Sequence, residues 1–154
     1  MPIPDPKSFK KGLLSDLRME LADEFDRNFQ RKAFFTDKWK ARKDPNANGS
    51  LLVVTGTLRR SIQSSTTDNG VRFSSNVPYA AIHNEGLQGN KPVKAHTRRQ
   101  HGKTVKVRAH TRKFNMPKRQ FIGDGDQTRK IIREVIEDNL KQFNLSLSDF
   151  FRNK

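Results

Sequence analysis

The chain has 154 residues, a formal net charge of +15, 32% hydrophobic content and no cysteine, which is enough for one domain with a modest core. Disulfides and thiolate metal sites are excluded, and the longest purely apolar run, Leu51 to Val54, is too short to cross a bilayer. Met1 to Pro6 lacks the apolar stretch of a signal peptide, so the expectation is a soluble protein made in the cytoplasm, with no membrane partner.

Taken in chain order, Asp5-Pro6 reads as a helix start, an Asp cap followed by Pro at the first helical position. Phe9, Leu13, Leu14, Leu17, Leu21, Phe25 and Phe29 then recur every three or four residues, which predicts a long amphipathic helix to about residue 33. Residues 36–50 are polar and read as loop. Thr55 to Ile62 begins a short helical or extended segment. Gln63 to Thr67 and Val71 to Ser75, joined by Asp68-Asn69-Gly70, predict a β-hairpin, because Asn-Gly favours the positive φ angles of a tight turn. Pro78 to Glu85 reads as a helical turn stopped by Gly86.

Charge concentrates next. Lys91 to Arg119 holds eleven Lys or Arg and no acid, whereas the flanking regions are nearly balanced. A phrase occurs twice there, Val93-Lys94-Ala95-His96-Thr97-Arg98-Arg99 and Val107-Arg108-Ala109-His110-Thr111-Arg112-Lys113, on either side of Gln100-His101-Gly102-Lys103. Each copy alternates small or branched residues with basic ones, which predicts a basic β-hairpin over 91–115. The alternative is an extended loop with no role beyond solubility. A three-residue loop, with Gln100 opposite Thr104, would gather Lys94, His96, Arg98, Lys106, Arg108, His110 and Arg112 on one cationic face. That face suits DNA or an acidic partner.

Beyond it, Asp124 with Gln127 forms a potential capping box. Ile131, Ile132, Val135, Ile136, Leu140 and Phe143 supply the apolar face of a C-terminal helix, and residues 144–154 read as an apolar tail. The fold class that follows is α+β. A long N-terminal and a C-terminal helix pack on a small antiparallel sheet, within one domain spanning 1–154.

Catalytic signatures do not emerge. Three of the four histidines lie among cations that repel a metal ion, and no nucleophile, zinc or phosphate-loop pattern surrounds His83. The reading is of a protein that is no enzyme, with no catalytic residue, cofactor, metal or small-molecule substrate.

Three strings in a fixed order are more specific. Val54-Thr55-Gly56-Thr57-Leu58-Arg59-Arg60-Ser61-Ile62 comes first, then Val77-Pro78-Tyr79-Ala80-Ala81-Ile82-His83-Asn84-Glu85-Gly86. Met116-Pro117-Lys118-Arg119-Gln120-Phe121-Ile122-Gly123 follows, before the last helix. This order resembles the phage virion morphogenesis (tail completion) family, which includes Mu-like and related prophage neck or tail proteins; Trp39 after an amphipathic helix also fits. The residues carrying the resemblance are Thr55, Gly56, Leu58, Ser61, Ile62, Tyr79, Ala80, Ile82, His83, Gly86, Pro117, Arg119, Phe121 and Gly123. Leu58, Ile62, Tyr79, Ile82 and Phe121 are then expected in the core, with His83 and Arg119 as polar anchors.

The resemblance implies a structural protein of the head–tail neck or the top of the tail, needed for tail completion and head–tail joining. Its expected partners are further copies of itself, in a ring-forming homo-oligomer of six, neighbouring neck or tail proteins, and packaged DNA. Its expected location is the virion, after synthesis in the host bacterial cytoplasm. The alternative is a nucleic-acid-binding module without sequence preference that uses the basic hairpin directly.

Overall fold

The computed structural model describes residues 5–44 and 46–152. Helix α1 (Pro6–Arg31) begins as its sequence predicts. The Asp5 carboxylate accepts the backbone N–H of Lys7 and Ser8, and Pro6 occupies a position whose N–H has no helical partner anyway. Leu17, Leu21, Phe25, Asn28 and Phe29 form its buried stripe. Lys32, left-handed at φ 54°, ends the helix. The two-residue strands β1 (Ala33–Phe34) and β2 (Asp37–Lys38) then turn the chain back, and Trp39 meets Phe29 edge to face at 5.7 Å.

After the loop, α2 (Thr57–Arg60) leads into the hairpin of β3 (Ile62–Thr67) and β4 (Gly70–Ser75), with Thr67 opposite Gly70 across Asp68-Asn69. This hairpin lies on α1, where Phe73 meets Phe25 at 4.9 Å. Helix α3 (Ala80–Glu85) stops at Gly86, whose φ is 78°. A Cβ there would lie 2.9 Å from the backbone nitrogen of Lys118, so both the torsion and the close approach demand glycine.

Four strands then build one long two-stranded arm: β5 (Leu87–Val93), β6 (His96–Gln100), β7 (Lys103–Val107) and β8 (His110–Met116). Strand β5 pairs with β8 from Leu87↔Met116 to Val93↔His110, and β6 with β7 from His96↔Val107 to Gln100↔Lys103. The strands run about 45 Å at ~3.3 Å per residue. The arm is therefore a hairpin, as its alternation predicts, and it starts at Leu87 rather than Lys91.

Its register corrects the expected three-residue loop. His101 (φ 50°) and Gly102 (φ 77°) form a two-residue turn, with both torsions positive as in the turns that match strand twist. Burial of one face is what normally fixes register, and this ribbon has no buried face to select the slipped alternative.

Helix α4 (Asp126–Arg152) closes the chain. Asp124 does not cap it against Gln127. Its carboxylate instead accepts the Gly125 N–H and pairs with Arg129, while the Thr128 hydroxyl donates to Gly123 O. Residues 144–152 continue the helix rather than forming a separate tail, and residues 153–154 lie outside the described ones. The helix packs on α1 through Phe143 against Phe9 at 4.6 Å.

The architecture is α+β, as expected, with N-terminal and C-terminal helices and small antiparallel sheets. Among the described residues the strands form separate two-stranded ladders rather than one sheet. Two apolar clusters make the core. One gathers Phe29, Trp39, Leu58, Ala80 and Phe121, the other Leu21, Phe25 and Phe34, and Ile122 packs on both.

Candidate functional site

The third motif string runs through the centre of the body. Residues 119–123 belong to no helix or strand, yet Phe121 is fully buried, so their backbone groups need partners away from any ladder. Side chains supply most of them. Asn84 Oδ1 accepts the N–H of Phe121 (2.9 Å) and of Ile122 (3.2 Å). Asn28 Nδ2 donates to Phe121 O at 3.1 Å, and its Oδ1 accepts the Phe35 N–H. Trp39 Nε1 donates to Gln120 O, and the Arg119 N–H donates to His83 O.

Arg119 itself is buried with no carboxylate partner among the described residues. Its Nε donates to Lys40 O and its Nη2 to Ala41 O, which ties the motif to the strip of chain just beyond Trp39. Burial, and after it the charge of Arg42, holds its pKa below the usual arginine value.

The first two strings meet beside this clamp. Gly56 takes φ 71° to open α2, and the Thr55 and Thr57 hydroxyls bond each other at 2.8 Å. Leu58 is buried, Ile62 and Ile82 are half-buried, and Ser61 bonds Leu58 O and the Ser75 hydroxyl. Ala80 is buried against the same cluster, Pro117 is half-buried, and Gly123 takes a φ of 119°.

Tyr79 departs from its expected core position. It is 43% exposed, with its ring edge-on to His83 at 5.9 Å. Thr55, Gly56, Leu58, Tyr79, His83 and Arg119 thus line one open cleft of about 350 Å³, with Leu51, Leu52 and Val54 as apolar walls. His83 Nδ1 is buried there without a hydrogen-bond partner. Burial, then the nearby Arg119 charge, depresses the imidazole pKa and favours the neutral ring. Among the described residues no cluster of His, Cys, Asp or Glu could hold a metal ion.

The arm is the second candidate. Between Asn90 and Asn115 every residue is exposed except Val93 and Val107, which are half-buried. The observed register disperses the expected single cationic face. Opposite residues share a face, so in the outer ladder Lys106 joins Thr97 on one side while His96, Arg98 and Lys103 share the other with Val105 and Val107. In the inner ladder Lys91 stands with Arg112 and Val93 with His110, whereas Lys113 stands with Asn90 on the opposite face. Lys94 and Arg108 fall outside both ladders.

The repeat explains that gap. The two copies run antiparallel, so each copy's Val stands opposite the other's His, Val93 with His110 and Val107 with His96. Pairing lapses at Lys94-Ala95 and Arg108-Ala109, the same place in both copies. There His96 Nδ1 bonds Lys94 O and His110 Nδ1 bonds Arg108 O, each at 2.9 Å. None of the arm's Lys or Arg is in an ion pair among the described residues.

Sequence reasoning passed over Asn28, Asn84, Arg42 and the Asp26–Arg59 pair, in which two guanidinium nitrogens, Nε and Nη2, engage the carboxylate. Asn28 was legible in part, as a polar residue at an apolar-stripe position after Leu21 and Phe25. Asn84 stands inside the second string with no signal of its partners 37 and 38 residues away.

The described chain is thus a small α+β body whose motif residues act as backbone clamps, with a long cationic arm. The phage virion morphogenesis family model matches residues 11–141, and the chain belongs to that family. No curated protein and no solved structure matches it. Membership gives the chain a structural role in virion assembly.

Proposed function

We propose that the protein acts at the head–tail neck or the top of the tail, where it completes the tail and permits joining to the head. In this reading six copies form a ring that touches neighbouring neck or tail proteins, and the arm meets an anionic partner. The observation that carries it is the arm, an exposed ribbon of unpaired cations on a body whose family serves virion assembly. Like charges repel, so folding alone gives no reason to gather them.

The test replaces Lys94, Arg98, Lys106, Arg108 and Arg112 with Gln. All five are exposed, so the fold is expected to survive, while joined, infectious particles fall in number. Normal particle numbers would reduce the arm to a solubility device.

The same observation supports a second reading, a nucleic-acid-binding module that works without a ring. Light scattering with and without DNA separates the two. A monomer that binds DNA tightly favours the module, and a ring or partner-dependent assembly favours the neck.

A further inference from the structure

The arm's cations continue onto the body. Lys38-Trp39-Lys40-Ala41-Arg42-Lys43 places four cations within six residues, and the fold sets this strip beside the arm's base. A groove of about 390 Å³ runs between residues 40–43 and residues 112–117, and a shallower one joins Lys43 to Gly89, Asn90 and Lys113. Lys40, Lys43, Arg112 and Lys113 are exposed along it, and Phe114 sits over Gly89, which stands opposite it in the ladder. Asp37 and Asp44 bracket the strip, yet neither forms an ion pair with it among the described residues.

We propose that this groove holds the phosphodiester backbone of duplex DNA, as the inner end of a cationic track that continues along the arm. The proposal rests on the reading of the arm as anion-binding and names both the anion and a second wall for it. Three observations select DNA.

The first is that the chain cannot neutralise itself. Nine of the 31 Lys and Arg lie in residues 87–116 with no acid, and the remaining 22 outnumber the 16 acids, so the body is cationic too. Packing a second copy against the arm therefore leaves its charge uncompensated.

The second is that an acidic protein surface would be expected to meet an apolar interface core depleted in Lys. Beyond the ladder gap, the outer arm exposes only one large apolar residue, Val105, among four cations, Arg98, Arg99, Lys103 and Lys106.

The third concerns strandedness. Single strands are held by successive aromatic platforms, and Phe114 is the only Phe, Tyr or Trp between Leu87 and Met116. Cations spread over both ribbon faces and a flanking groove match the two charged backbones of a duplex instead. Phosphate contacts of this kind release counterions and carry no sequence preference.

Fluorescence anisotropy of a labelled duplex of arbitrary sequence, titrated with salt, tests this on the full chain. The groove variant is Lys40→Gln, Lys43→Gln and Lys113→Gln. A control variant, Lys7→Gln, Lys10→Gln and Lys11→Gln, makes the same charge change on exposed residues at the start of α1. Thermal melting confirms that both variants fold.

The groove variant is expected to lose about tenfold or more in affinity at low salt. Its log–log salt slope should fall by about 0.9 for each phosphate contact removed, and the control should stay near wild type. Equal slopes for groove variant and wild type, or equal losses in groove variant and control, overturn the groove. Poly-glutamate that competes as well as duplex per unit charge overturns DNA as the occupant. These outcomes are independent of head–tail joining, which the five-fold Gln arm variant reads separately.

Discussion

Asn84 shows how much one side chain carries here. Its single amide oxygen serves two part-buried N–H groups in a segment that no strand pairs. Asn84→Ala leaves both without partners, which is expected to destabilise the fold by about 2–3 kcal/mol in chemical denaturation. Asn28→Ala acts in the same direction from the opposite side of Phe121. His83 adds a pH dependence. Burial and Arg119 hold its pKa below the ordinary 6.5, so the unfolded chain takes up the proton first as pH falls. Stability is full above that value and is lost as pH descends towards the depressed one. Denaturant midpoints at about pH 7.5 and pH 5.5 should therefore differ more for wild type than for His83→Gln; equal differences would refute a neutral, half-buried ring.

At the scale of elements, helices and hairpins separate into those the sequence specifies and those it leaves open. Helix α1 was legible from Asp5-Pro6 and its apolar stripe, and the β3–β4 hairpin from the turn-forming run Asp68-Asn69-Gly70, because each signal is local; the turn itself is Asp68-Asn69, with Gly70 already in β4 and no positive φ at Asn69 or Gly70. The register of the arm was not. Its residues face solvent on both sides, so no pattern of burial distinguishes one pairing from the next, and turn geometry alone decides. The clamp on residues 119–123 was hidden for another reason, since its partners come from positions dozens of residues away. The arm's exposure also yields a prediction. Replacing residues 94–109 with Asn-Gly joins Val93 to His110 through another two-residue turn across an existing pair. The shortened chain is expected to melt within a few degrees of wild type. A large fall in melting temperature would mean that the outer arm supports the body.

On the scale of the whole molecule, the far end of α4 bears on the proposed assembly. Phe150 is buried, whereas Leu145 and Phe151 are 65% and 70% exposed on the same helix. Phe150→Ala is expected to destabilise the subunit by about 3 kcal/mol. Leu145→Ser with Phe151→Ser should leave the melting temperature unchanged and weaken association, read by light scattering of the assembled form. Unchanged association would remove this end of the helix from the subunit contacts.

Because pairing in the arm extends down to Leu87↔Met116, the chain leaves and re-enters the body at neighbouring points about 5 Å apart. A disordered insertion of similar size would penalise folding through loop closure, by an amount that grows only with the logarithm of its length. A zipped ribbon escapes even that growth, since each added pair of residues is ordered against its own opposite number. Arm length is thereby uncoupled from the thermodynamics of the body. The reach of this protein can lengthen or shorten, one pair at a time, while Arg119, Asn84 and Phe121 stay where they are.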